Sequence, residues 1–355
     1  MTIEERKNDH IDICLRENVR TTYNHWDDVI LVHQAIPMCD LEEIDISTSF
    51  LGRELSAPLM ISAMTGGSSK AKEYNRLLAR AAEEFGIGFG VGSQRAGLET
   101  KEHESSYSVV KEFEVPLVLG NLGAPQFSLA PGKGRSQYSI VEAKRALEMI
   151  GGDALCIHLN YLQEVVQPEG DTNAKGLLDN LKDLSKELKI VVKETGAGIS
   201  RETAISLKEA HVSAIDVGGS SGTSFAAVES YRDPGGLTDS RRAGITYWDW
   251  GIPSPASLVM ANVGLPMIGS GGLRNGHDVV RAISMGADLG GMAWPLLMQA
   301  SKGYDALRGE ISRIIEEIRI GFFLSGIGSI KDRSRSRYIL TGPTREYLQG
   351  ISLSI

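Results

Sequence analysis

Four side chains that can bind an anion or a metal ion fall within seven residues of one another, in the segment HLNYLQE. They are His158, Asn160, Gln163 and Glu164. The carboxylate of Glu164 can provide one oxygen to Mg²⁺, whose other positions are filled by water and phosphate oxygens. Two other interpretations stay open. Glu164 can be a solvated surface residue, and His158 can be a core histidine bonded to the backbone.

Two glycine-rich turns, in IGSGGLRNG and GMAWP, come directly before predicted helices. Glycines free backbone N–H groups, and the positive end of a helix attracts negative charge, so such turns suit a phosphate monoester. A single SGG triplet is a weak signal. Its position in the chain, described next, makes it a stronger one.

The elements that must position these groups are eight short apolar runs, each followed by an amphipathic, helix-like stretch. This alternation predicts a parallel sheet. Eight units in about 240 residues, without an early GxGxxG motif, favour a closed (β/α)₈ TIM barrel over an open doubly wound sheet. The predicted strands are Pro58–Met64, Ile87–Val91, Pro116–Gly120, Ala154–Ile157, Ile190–Lys193, Ala214–Val217, Pro266–Ile268 and Leu289–Met292.

The barrel gives the glycine-rich turns and Lys193 a common location. Active-site groups in such a barrel follow the carboxyl ends of the strands, and the turns after strands 7 and 8 are the usual place for an FMN phosphate. Lys193 ends the apolar run of strand 5, where an unpaired ammonium is costly. The N1/C2 carbonyl edge of a reduced flavin would offset that cost. The alternative partner is Glu194 or another carboxylate.

Composition limits the class of protein. The chain has 355 residues, 42% of them hydrophobic, and a formal charge of −8. One globular domain is expected, and the negative charge argues against a nucleic-acid or anionic-membrane surface. Three scattered cysteines fit neither a disulfide framework nor a metal cluster, which predicts a reducing cytoplasm. The N-terminus has no apolar signal core, and no run is long enough to span a membrane.

Three segments fall outside the eightfold alternation. Residues 1–55 form an N-terminal extension with a helix-like start and a short β-rich entry, LEEIDISTSFLGREL, which we expect to cap the base of the barrel. Residues 219–253, after strand 6, are too long for a simple connection and are expected to form a lid. Residues 308–355 read as one long and one shorter helix. A small basic group, Arg6, Lys7 and His10, lies near the N-terminus; it is either a solvated charge run or, with Arg95 and His158, a diphosphate-binding set.

Taken in order, the motifs closely resemble those of type II isopentenyl diphosphate isomerases over nearly the whole chain. They are RKNDHI, AMTGG, GSQR, GNLG, HLNYLQE, VKETG, SSGTSF, SGGLR and GMAWP. HLNxxQE is the most discriminating, whereas SGG and GMA are shared more widely among flavin barrels. One departure is the strand 6 loop, where Ser220 and Ser221 stand in place of expected glycines.

The resemblance implies three sets of site residues, in addition to a Mg²⁺ ligand at Glu164. His158, Asn160 and Gln163 are the candidate catalytic group, and Gln163 either relays a proton from C2 or only orients the substrate. Arg6, Lys7, Ser93, Gln94, Arg95, His158, Asn160 and Gln163 would surround the substrate. The residues expected to contact FMN are Ala63, Met64, Thr65, Ser93, Asn121, Lys193, Thr223, Gly272, Leu273, Arg274, Ala293 and Trp294.

The same resemblance implies the reaction and its cofactors. Isopentenyl and dimethylallyl diphosphate would be interconverted by reduced FMN, which protonates the terminal alkene and assists removal of a proton from C2. NADPH or NADH would be the reductant, and the family implies a homotetramer or homo-octamer. The strand ends show no obvious acidic pair of the kind a flavin-free isomerase needs, which agrees with this mechanism.

Other functions predict other residues. A 2-hydroxy-acid oxidase would carry a catalytic histidine and a substrate arginine after its late strands. A nucleotide dehydrogenase would carry a cysteine in loop 6, which SSGTSF lacks. A non-catalytic phosphate-binding scaffold would keep SGG but would need neither Lys193 nor HLNxxQE.

Overall fold

A closed, eight-stranded parallel barrel forms the centre of the computed structural model. The structure describes residues 3–130, 132–232 and 238–351, without the side chains of residues 3, 4 and 6. Barrel strands 1 to 8 are Leu59–Ile61, Gly88–Gly90, Leu117–Gly123, Ala154–Leu159, Ile190–Glu194, Ala214–Asp216, Met267–Gly269 and Leu289–Met292. Each strand pairs in parallel with the next, and strand 8 pairs with strand 1, so the predicted TIM barrel is confirmed.

The strand boundaries follow the apolar runs closely. Strand 8 begins and ends where it was predicted, whereas strand 1 ends at Ile61, before the predicted Met64, and strand 3 continues to Gly123. The differences arise because polar strand ends can stay in the ladder when neighbours pair with them. Asn121 and Gly123, for example, pair with Cys156 and His158.

Helices follow the strands around the outside of the barrel. Their ends carry the expected signals: Ser68 caps the helix after strand 1, and Gly86 ends it with a φ of 61°. The helices between strands 1 and 8 are Ser69–Phe85, Arg95–Glu99, Ser105–Ser108, Ala124–Phe127, Ile140–Ile150, Tyr161–Val166, Leu177–Leu184, Arg201–Glu209, Phe225–Arg232, Asp239–Thr246, Ser254–Met260 and Gly276–Ser284. After strand 8 come Trp294–Ala300, Tyr304–Leu324 and Gly342–Gly350.

The chain outside the barrel adds short elements at both ends. The helix Ile3–Arg16 opens the chain, and Val29–Leu31 pairs antiparallel with Tyr338–Leu340 near the C-terminus. A hairpin joins Thr48–Phe50 to Arg53–Leu55. Single 3₁₀ turns are found at His25–Asp28, Leu41–Glu43, Lys101–His103, Val109–Glu112 and Ile330–Arg335. Among the described residues, no helix is both long and apolar enough to cross a bilayer.

The N-terminal extension lies at both ends of the barrel. Phe50 and Leu55 of the hairpin join the apolar side chains inside the barrel, including Met60 and Leu119, so the hairpin closes the base as expected. The helix Ile3–Arg16 lies at the opposite end, where Lys7, His10 and Cys14 line the main cavity. The hairpin and the helix of the extension therefore lie at opposite ends of the barrel.

Candidate active site

A cavity of about 660 Å³ occupies the mouth of the barrel, at the carboxyl ends of its strands. All twelve residues predicted to contact FMN line it, from Ala63 after strand 1 to Trp294 after strand 8. Lys7, Arg95, His158, Asn160, Gln163 and Glu164 line the same cavity. Side chains far apart in the sequence therefore meet in one space, because parallel strands deliver their loops to one end of the barrel.

Gln94 does not line this cavity, so its expected place beside the substrate is wrong. Its side chain is fully buried; Nε2 donates to the carbonyl of Ala146, and Oε1 accepts from the amide of Asn121. Gln94 thus supports strand 3 from the helix side. Its position in GSQR gave no sign of this, because the direction of its side chain depends on the turn that follows strand 2. The side chain of Arg6 lies outside the described residues.

Lys193 is buried in the floor of the cavity, with 8% of its surface exposed. Its Nζ donates to the backbone carbonyl of Glu194 at 2.8 Å and lies 3.9 Å from a carboxylate oxygen of Asp216. Lys193 therefore has a carboxylate neighbour within the protein, as the alternative interpretation expected, and its contact with a flavin stays a prediction. Burial raises the pKa of Asp216, and Lys193 opposes that shift.

Asp216 and Glu194 are buried carboxylates at strand ends; Glu194 was expected only as an alternative partner of Lys193, and Asp216 was not predicted. Ser270 donates a short hydrogen bond to Asp216. One oxygen of Glu194 accepts hydrogen bonds from the backbone amides of Thr195, Gly196 and Ala197. Burial raises the pKa of Glu194 to about 7 despite these donors. Both carboxylates are hydrogen-bonded within the protein, and of the two only Glu194 lines the cavity.

The turn after strand 7 contributes Ser270 to Arg274 to the cavity wall. Gly271 and Gly272 have φ values of 84° and 87°, which favour glycine. The helix that follows begins at Gly276, whose amide donates to Glu317, and Asn275 caps it by accepting the amide of Asp278. Its positive end is thus already satisfied and does not line the cavity. Any phosphate site here consists of the turn itself, which corrects the expected use of the helix end.

The positive charge of Arg274 is already paired with carboxylates of the protein. It forms ion pairs with Asp27 and Asp278, and these two carboxylates raise its pKa further. Arg274 therefore lines the cavity with its charge balanced by these two carboxylates.

His158 is held in one orientation by Asn121. The Nδ2 of Asn121 donates to Val91, so its Oδ1 accepts a hydrogen bond of 2.7 Å from Nδ1 of His158. Burial, followed by the charges of Lys193 and Lys7, lowers the pKa of His158 to about 3. The imidazole is neutral near pH 7, and its partner is a side chain rather than the backbone expected of a core histidine.

Asn160 and Glu164 form a polar pair at the edge of the cavity. Nδ2 of Asn160 donates to one oxygen of Glu164 at 2.7 Å, and the amide of Asp171 donates to the other at 2.7 Å. Oδ1 of Asn160 is buried without a hydrogen-bond partner in the part of the chain that the structure describes. An orphaned buried acceptor is rare in proteins, and it indicates that a donor or a cation belongs beside it.

Glu229 is the largest omission of the sequence reasoning. It lies on the helix Phe225–Arg232 with 1% of its side chain exposed, and one of its oxygens accepts from Nε2 of Gln163 at 2.8 Å. His10 lies 2.9 Å from the same oxygen, and Arg232 forms an ion pair with the other. Glu229 thus joins the N-terminal helix to the segment after strand 4 (loop 4) and the segment after strand 6 (loop 6). The sequence signal that could have indicated its burial is its position in AAVESYR, next to small apolar residues.

The comparisons with known proteins agree with this arrangement. A family model described as FMN-dependent dehydrogenase matches residues 9–108 and 251–340, which is more than half of the chain. An isopentenyl-diphosphate delta-isomerase of Thermoplasma acidophilum is 46% identical over 348 residues, covering 98% of this chain and 99% of the relative. That of Methanosarcina mazei is 43% identical over 355 residues, covering 98% and 95%.

The chain belongs to the isopentenyl-diphosphate delta-isomerase family. It also carries the sequence features of the wider group of FMN-dependent dehydrogenases. The resemblance inferred from the motifs is thereby confirmed.

Solved structures give the same fold at much lower identity. A mandelate oxidase with (S)-2-phenylpropionate superposes with a TM-score of 0.62 at 18% identity, covering 95% of this chain and 97% of that one. This likeness concerns the barrel alone. A 2-hydroxy-acid oxidase would need a catalytic histidine and a substrate-binding arginine after its late strands. In this chain no histidine from the described turns after strands 7 and 8 lines the cavity, and the charge of Arg274 is paired with Asp27.

Proposed function

We propose that this protein interconverts isopentenyl diphosphate and dimethylallyl diphosphate, with FMN bound in the mouth of its barrel. One observation carries the proposal: a single cavity contains the Lys193 ammonium, the turn after strand 7 and the polar cluster of loop 4. The Lys193 ammonium suits a flavin ring, the turn after strand 7 suits the flavin phosphate, and the loop 4 cluster suits a diphosphate. Membership of the isomerase family supports the same reaction.

The residues fit FMN. The amides of Gly272 and Leu273 have no acceptor among the described residues and would bind its phosphate. Lys193 would lie near the ring and stabilise negative charge there, because its own carboxylate partner is 3.9 Å away and only partly neutralises it. When bound and reduced, FMN supplies the group that exchanges protons with the substrate's double bond.

The loop 4 residues fit a hydrated Mg²⁺ held with a diphosphate. Glu164 lines the cavity beside Asn160, whose buried Oδ1 has no hydrogen-bond partner among the described residues. The described residues contain no cluster of three histidine, cysteine or acidic ligands. A metal bound by one carboxylate, water and phosphate oxygens agrees with both facts.

The remaining side chains bind and orient the substrate. Gln163 donates to Glu229, which holds its amide in one rotamer, and an amide is too weak a base to remove the C2 proton by itself. We therefore assign it to orienting the hydrocarbon. His158, neutral and fixed by Asn121, would meet the diphosphate, whose charge favours a second proton on the ring. Arg95 forms ion pairs with Glu99 and Asp171 and would also face the diphosphate.

Several finer features belong to the same proposal. NADPH or NADH would reduce the flavin, the protein would act in the cytoplasm, and the chain would assemble as a homotetramer or homo-octamer. These follow from the family resemblance rather than from the cavity, and the three free cysteines are compatible with a reducing compartment.

The test is anaerobic incubation of the reduced, Mg²⁺-loaded protein with isopentenyl diphosphate, followed by NMR. Dimethylallyl diphosphate should appear, and chelation of Mg²⁺ should stop its formation. Glu164→Gln should raise the Mg²⁺ concentration needed for half-maximal turnover about 10- to 100-fold, because a ligand of the metal is lost. Glu187→Gln, at a surface ion pair with Lys144, is the control. An unchanged Mg²⁺ requirement in Glu164→Gln would refute the metal assignment.

A further inference from the structure

The phosphate turn after strand 7 is held from behind by a segment far away in the sequence. Nδ2 of Asn24 donates to the carbonyl of Gly272 at 2.8 Å. The carbonyl of Gly271 accepts two hydrogen bonds, from Nε1 of Trp26 at 2.8 Å and from Oγ of Ser254 at 2.7 Å. Trp26 and Ser254 are fully buried and lie outside the cavity.

These bonds determine the direction of two backbone amides. In a trans peptide the C=O of one residue and the N–H of the next point in opposite directions. The carbonyl of Gly271 points to Trp26 and Ser254, so the N–H of Gly272 points the other way, toward the cavity side. In the same manner, the bond from Asn24 to Gly272 directs the N–H of Leu273. Neither nitrogen has an acceptor within residues 3–130, 132–232 and 238–351.

The backbone of Gly222, after strand 6, packs closely against this turn. A Cβ on Gly222 would lie 2.6 Å from the nitrogen of Gly272. The backbone of Gly222 is held in turn by the N-terminal segment, since its carbonyl accepts from the amide of Thr21 at 2.8 Å. Gly272 and Leu273 also line the cavity, and two unsatisfied donors at a cavity wall suit a bound anion.

We propose that Asn24, Trp26 and Ser254 are positioning residues that orient the Gly272 and Leu273 amides toward the phosphate of the flavin. The N-terminal segment thus shapes the phosphate site through the backbone of the turn, with Asn24 at the cavity wall and Trp26 buried behind it. This inference rests on the proposed binding of FMN in the cavity, and it assigns a function to residues 24–26 that their sequence does not suggest.

Comparison of FMN with riboflavin tests the proposal, because the two differ by the phosphate alone. Flavin-free, full-length protein is titrated with each, following flavin fluorescence. In Asn24→Ala the Kd for FMN should rise about tenfold, as expected for weakened hydrogen bonds to a charged group. Its Kd for riboflavin should stay within about twofold of the unaltered protein. Ser254→Ala should raise the Kd for FMN less, about threefold, because Trp26 still holds Gly271.

Tyr23→Phe is the matched control. It removes a hydrogen bond to Asp28 from the neighbouring residue, but it contacts neither Gly271 nor Gly272, so both Kd values should be unchanged. Equal weakening of FMN and riboflavin in Asn24→Ala, or of neither, would overturn the inference. If the unaltered protein binds riboflavin as tightly as FMN, the proposed phosphate site itself is wrong.

Discussion

The two ends of the barrel bury different kinds of side chain: apolar ones at the base and ionisable ones at the mouth. At the base, the interior is apolar, and Phe50 and Leu55 of the hairpin close it among side chains such as Met60 and Leu117. At the mouth, Lys193, Glu194 and Asp216 are almost as deeply buried, yet all three can carry charge. Burial of charge lowers stability unless partners compensate, whereas burial of apolar surface raises it. The comparison indicates that stability is concentrated at the base and chemistry at the mouth.

Phe50→Ala should give the largest effect and test the base. Deleting a buried aromatic ring leaves a cavity, so the free energy of unfolding should fall by about 3 to 5 kcal/mol. Denaturant titration measures the loss, and turnover of the protein that remains folded should be unaffected. Ile36→Ala, at a residue that is 75% exposed, is the control and should change stability little. A loss of turnover without a loss of stability in Phe50→Ala would contradict the division between the two ends.

Lys193→Met tests the mouth. Removing the ammonium should lower kcat/KM by about 10² to 10³, the usual cost of losing one electrostatic group in a closed site. It should also lower stability, since Asp216 is left buried without its cation. The double variant Lys193→Met with Asp216→Asn should recover stability but not turnover. Recovery of both would mean that Lys193 is only a partner for Asp216.

His158 should give a smaller effect, visible in the pH dependence of stability. Its pKa in the folded protein is lowered to about 3 from an ordinary 6.5, so between these values the unfolded chain binds a proton that the native one does not. Its stabilising contribution is complete above pH 6.5 and is lost as the pH falls. From pH 7 to pH 5 this loss is about 2 kcal/mol.

His158→Gln removes that proton while keeping an N–H that can donate to Asn121. Unfolding titrations at both pH values should therefore show the variant losing less stability on acidification than the unaltered protein. Identical losses in the two proteins would show that His158 is not held neutral by the mouth of the barrel.

Much of the fold could be predicted because its signals are local. Parallel strands buried on both faces appear as continuous apolar runs, and Leu289–Met292 was predicted with the boundaries observed. Caps such as Ser68 and Gly86 lie beside the helix they end. The position of the N-terminal helix could not be predicted, since nothing within Ile3–Arg16 states which end of the barrel it covers. Its contacts, such as Lys7 with Ser93, cross 86 residues.

For the site, the residues that follow each strand could be read directly from the sequence, and a barrel brings all such residues to one end. That is why Lys193, Gly272 and Glu164 could be named together. Their partners depend on the folded arrangement: Asp216 lies beside Lys193, Glu229 contacts Gln163, and Asn24 contacts Gly272. These pairings join segments distant in the chain, and a hydrogen bond requires placement within a few tenths of an ångström. No local pattern of residues carries that information.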